Sequence, residues 1–148
     1  MRTVRVLRSA LALTGTEWQD FFGAQIALLR AHYRVRRYPV GQLVGRVDGP
    51  ADDATGDAQR AEQLARALDR AARYGVLRPL CLVRSIALRD LLQRRGIRGA
   101  MIRIGVRREA GEFQAHAWVR WGTRILGDDA RFVARFVEVN DLRVFERG

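Results

Sequence analysis

The chain has 148 residues, of which 48% are hydrophobic and 29% charged, the composition of one globular domain with a core of its own. Twenty-seven basic residues against 16 acidic ones give a formal charge of +11, and every basic residue is an arginine. The single cysteine, Cys81, excludes an intramolecular disulfide and any zinc site built from several thiolates.

The first residues, "MRTVRVLRSALALTG", are basic and then apolar, but Arg5 and Arg8 interrupt the apolar part and no cleavage site of small residues follows. No apolar run approaches the length of a membrane span, so a cytoplasmic protein is expected. Thr16 and Gln19 form a capping-box pattern ahead of a helix. In it Trp18, Phe21, Phe22, Gln25, Leu28, Leu29 and His32 follow helical spacing and mark the expected buried face. "RYPVGQLVGRVDGPADDATGD", rich in glycine and holding Pro39 and Pro50, reads as a loop over about 38–57. Asp57 is placed to cap the next helix, where Ala61, Leu64, Ala65, Leu68 and Ala72 share a face and Gly75 is the stop.

"RPLCLVRSIALRDLL" then opens a third helix, with Pro79 in its first turn and Leu80, Val83, Ala87, Leu88, Leu91 and Leu92 as its apolar stripe. Gly96 ends it. Beyond that point the pattern changes to short alternating segments, "GAMIRIGVRR", "FQAHAWVRWG" and "RILGDDARFV", which read as an antiparallel meander. Helices first and strands later predict an α+β fold, with a Cys-bearing helix packed on an antiparallel sheet. The expected organisation is a single domain over 1–148, with a helical part at 1–75 and a catalytic core at 76–148.

Cys81 heads a helix, where unpaired N–H groups and the macrodipole favour a thiolate; the competing reading is a plain buried thiol. His116 lies mid-strand in "AHAW", between alanines that leave room beside its ring. A strand histidine facing a helix N-terminus is a way to build a thiolate–imidazolium pair. The third member is an acid to orient the ring, and the turn after Trp121 decides which. A two-residue loop at Gly122–Thr123 sets Asp129 opposite His116, whereas a three-residue loop sets Asp128 there. "DDARFVARF" also reads as the start of a short helix with one aspartate as its cap. Trp118 shares the His116 face and is expected to line the cleft, while Trp121 is expected in the turn or the core.

In the order Cys, His, Asp, "CLVRSIALRDLLQRRGI", "AHAWVRW" and "GDD" resemble the lasso-peptide leader peptidases, a family of transglutaminase-like and papain-like cysteine proteases. The resemblance covers about residues 76–133. It implies removal of the leader from a ribosomally made precursor, with Cys81, His116 and Asp128 as the triad and Asp129 as the alternative acid. It implies no metal and no cofactor. With helices rather than strands ahead of residue 76, the chain resembles the split form, which implies a separate leader-recognition protein and an asparagine-synthetase-like macrolactam cyclase downstream. The glutamine that papain-like enzymes place upstream of the cysteine is missing between Gly75 and Cys81. Backbone N–H groups at the helix start, that of Cys81 included, and a second donor are then expected to form the oxyanion hole. Three other readings remain: a transglutaminase-like acyl transferase, an inactive peptide-binding scaffold, and a basic RNA-binding domain. No nucleic-acid recognition motif supports the last.

Overall fold

A computed structural model describes residues 13–45, 49–51 and 55–139. The basic N-terminal segment lies outside them. The first helix, α1, runs Gly15–Arg37. Its cap is Thr14 rather than Thr16: the Thr14 Oγ1 accepts the Glu17 N–H, and the Glu17 carboxylate accepts the Thr14 N–H at 2.9 Å. A carboxylate complements the positive end of a helix better than the neutral amide of Gln19 does, which favours the earlier box. The hydrogen bonds from Thr14 hold the Glu17 carboxyl below its ordinary 4.5.

The buried face of α1 also differs from the expected one. Asp20, Ala24, Ala27, Leu28 and Ala31 are buried, while Phe22 and Leu29 are at least half exposed. Small side chains let α1 lie against α3 (Thr55–Tyr74) and α4 (Cys81–Arg94), and the bulkier rings are left at the rim. The expected loop contains a five-residue helix, α2 (Val40–Val44), whose Leu43 and Val44 reach the core. Residues 46–48 and 52–54 of that stretch lie outside the described ones. In α3 the expected face is buried throughout: Ala61, Leu64, Ala65, Leu68 and Ala72. The helix starts at Thr55, so Asp57 lies in its first turn instead of capping it.

The third expected helix is α4, and Cys81 is its first residue. Leu80 is the cap, in extended conformation, with its carbonyl accepting the Arg84 N–H at 3.0 Å. Pro79 therefore precedes the helix. Leu80, in the cap position outside the helix, is 77% exposed and not part of the stripe, whereas Val83, Ala87, Leu88, Leu91 and Leu92 are buried.

The sheet follows: β1 (Ala100–Glu109), β2 (Glu112–Trp121), β3 (Arg124–Leu126) and β4 (Val137–Glu138), with the one-turn helix α5 (Ala130–Val133) before β4. Its order is β3-β2-β1-β4 and every pairing is antiparallel. Helices followed by an antiparallel sheet make an α+β fold. Alternation divides the residues of β2 between two layers. Ala117, Val119 and Trp121 join the core made by α1, α3 and α4, whereas Trp118 packs with Val133 and Phe136 on the other side. Trp121 is fully buried, and its Nε1–H donates to the Arg98 carbonyl at 2.7 Å.

Candidate active site

The Gly122–Thr123 loop between β2 and β3 has two residues, since Trp121 pairs with Arg124 and Val119 with Leu126. That register, prolonged, would put Asp129 across from His116. It is not prolonged: β3 stops at Leu126, and Gly127, at φ +72°, turns the chain off the sheet in a conformation that favours glycine. Asp128 then meets the imidazole, with 2.5 Å between His116 Nε2 and Asp128 Oδ2. Asp129 caps α5, accepting the N–H groups of Arg131 at 2.8 Å and Phe132 at 3.4 Å. The expected helix cap and the acid beside His116 both occur, on adjacent aspartates.

The His116 ring is further held by aromatic neighbours. Phe132 meets it edge-on at 5.1 Å, Phe136 lies at 5.3 Å, and Trp118 stacks at 6.2 Å. Asp128 takes Nε2, so Nδ1 is the nitrogen left for another partner. Among the described residues no hydrogen bond joins His116 to Cys81; what they share is a narrow cleft, partly open to solvent, whose walls include Cys81, His116, Trp118 and Asp128. Cys81 is half-buried. It stands at the head of α4, in a cleft also walled by Leu126 and Gly127 at the end of β3. Among the described residues no side chain caps the first turn of α4, so none of them gives the N–H groups that follow Leu80 a capping oxygen.

Three polar residues of the cleft were not singled out by the sequence. Asp69 and Arg84 form an ion pair at 3.0 Å on its wall, and Ser85, one turn beyond Cys81, is buried there. The i,i+4 spacing of Asp69 and Arg73, also paired, was the visible signal, but it reads as an ordinary surface pair. His32 lies half-buried on α1 and is not among the residues lining the cleft. No group of three or more metal-ligating side chains is found among the described residues.

A thiol at the head of a helix, sharing a cleft with a carboxylate-held imidazole, is the arrangement used for nucleophilic cysteine chemistry. The chain belongs to the transglutaminase-like superfamily, whose family model matches residues 25–141. Members of that superfamily are in general cysteine proteases or transferases. No curated protein and no solved structure matches the chain. No helix among the described residues is long and apolar enough to cross a membrane.

Proposed function

We propose that this protein is a cysteine peptidase that removes the leader from a ribosomally made lasso-peptide precursor. The observation that carries the reading is the His116–Asp128 hydrogen bond within a cleft that also exposes Cys81. The superfamily match supports the cysteine-protease or transferase level; "AHAWVRW" and "GDD", by their resemblance to the leader peptidases, support the finer one.

In this mechanism Cys81 gives its proton to His116 Nδ1, and sulfur attacks the scissile carbonyl at the leader–core junction. Uncapped N–H groups at the start of α4 receive the oxyanion. As the C–N bond breaks, His116 returns the proton to the leaving amine. Water then attacks the thioester, His116 takes the water proton, and sulfur leaves and is reprotonated. Asp128 fixes the ring tautomer through Nε2 and balances the charge on the imidazolium. A separate leader-recognition protein delivers the precursor, and an asparagine-synthetase-like cyclase takes the freed core, all in the cytoplasm.

The test is to incubate wild type and Cys81→Ala with precursor and recognition protein and to follow free leader by mass spectrometry. The variant should fold and release none. Leader release at the wild-type rate would sink the proposal. A superfamily that includes transferases makes acyl transfer to an amine the second reading. With an added primary amine, that reading yields an amide adduct where hydrolysis yields the free acid.

A further inference from the structure

We infer that the substrate binds as an extended strand added to the open edge of β2, running from the hairpin tip to the cleft. The inference rests on the peptidase reading and names how the peptide is held. Two hairpins fix which backbone groups are available. The β1–β2 register is unbroken from Ala100↔Trp121 to Glu109↔Glu112, where a two-residue loop closes it. Closing pairs of such loops exchange both of their hydrogen bonds, so the backbone of Glu112 is turned toward β1 and that of Trp121 toward β3. Counting by twos from Trp121, Val119, Ala117, Ala115 and Phe113 all present N–H and C=O on the β3 side. Val119 is met by Leu126, the last residue of β3. Among the described residues Ala115 and Phe113, both exposed, face no strand and have no backbone bond to their edge groups, whereas Ala117 is only 5% exposed and belongs to the core.

Ala115 adjoins His116 in sequence, and Ala117 just beyond it lines the cleft. The edge therefore leads into the site. A row of unpaired N–H and C=O groups is complementary to another backbone, which makes an extended peptide the occupant. Side chains favour it too. Ala115 is small and exposed, so a neighbouring strand meets no bulk. Phe113 is 77% exposed, with the Arg108 guanidinium 5.4 Å from its ring, and offers an apolar contact at the far end. Backbone pairing tolerates varied side chains and demands free amides at alternate positions of the substrate.

The probes are acetyl-alanine chloromethyl ketone and its acetyl-tetra-alanine counterpart, both of which alkylate a cysteine with loss of chloride. On wild type the tetrapeptide should label Cys81 about tenfold faster, the effect of one to two net backbone hydrogen bonds. N-methylation of every second peptide amide should erase that advantage, and N-methylation of the intervening ones should not. In Ala115→Pro the ratio of the two rates should fall toward one. A proline is tolerated where the lost N–H faces away from the sheet, and the ratio cancels any general change in Cys81 reactivity. Equal rates for the two probes on wild type, or an N-methyl series without alternation, would overturn the inference whether or not the proline variant folds. Failure of the peptidase reading would show elsewhere, as iodoacetamide labelling of Cys81 that proceeds equally in wild type and His116→Ala.

Discussion

Asp128 and Asp129 are chemically identical neighbours with separate work, and the difference lies in one backbone angle. Gly127 swings the chain so that the first carboxylate reaches His116 Nε2 and the second turns back onto the N–H groups of α5. Substitutions should separate the two. Asp128→Asn keeps size and shape but exchanges a charged acceptor for a neutral amide, so the tautomer is no longer fixed. Turnover should fall by about 10²–10⁴-fold, the usual range for losing general acid–base help, with little change in melting temperature. Asp129→Ala deletes a helix cap and should cost about 1 kcal/mol of stability. Its effect on turnover should be smaller, and indirect, because α5 carries Phe132 against the imidazole. Paired measurements of melting temperature and kcat check both. A larger catalytic loss in Asp129→Ala than in Asp128→Asn would reverse the assignment of the acid.

Among the elements, β1 is shaped by what crosses it. Gly105 pairs with His116, and a Cβ there would come within 2.7 Å of Trp118 Cη2 and 2.8 Å of Phe136 Cβ. The absent side chain is what lets Trp118 and Phe136 close over the strand beside the imidazole. Gly105→Ala should therefore destabilise by about 1–3 kcal/mol through overpacking, read as a lower denaturation midpoint, and should displace the Trp118 ring in near-ultraviolet circular dichroism. The strand pattern and the α3 face were open to sequence reading, because alternation and helical periodicity follow directly from which face is buried. Periodicity does not set turn parity, so the β2–β3 loop was legible only as two or three residues. The α1 face was not legible. There hydrophobic bulk pointed to Phe22 and Leu29, while close helix packing selected Ala24, Ala27 and Ala31, residues whose small size rather than hydropathy is the signal. The candidate triad was legible in its residues. The choice of Asp128 came from the resemblance, since a register argument extends a strand that Gly127 ends.

The molecule as a whole carries far more arginine than acid, and it shares its carboxylates. Asp20 pairs with Arg60 and Arg95, Asp69 with Arg73 and Arg84, Asp90 with Arg34 and Arg89, Glu109 with Arg107 and Arg135, and Glu138 with Arg120 and Arg103. A carboxylate suits this use, because its two oxygens offer about four lone-pair sites and so can accept N–H groups from two guanidinium forks. Asp20 is the deepest case, its side chain 5% exposed and bidentate to Arg60 at 2.7 and 2.8 Å, with Arg95 at 3.3 Å. It ties α1 to α3 and to the residue after α4, and its hydrogen bond keeps Arg60 more firmly protonated. Removing one partner of a fully buried pair costs about 3–5 kcal/mol. Here Arg60 and Arg95 keep roughly a third of their side-chain surface in water, so Asp20→Ala should cost less, about 1–3 kcal/mol. In urea this appears as a lower midpoint with an unchanged slope. Arg95 is at the far end of α4 from Cys81, so the alkylation rate of Cys81 in the folded protein should stay at its wild-type value. A Cys81 rate that fell along with stability would mean that the clamp positions the head of α4 as well as holding its tail.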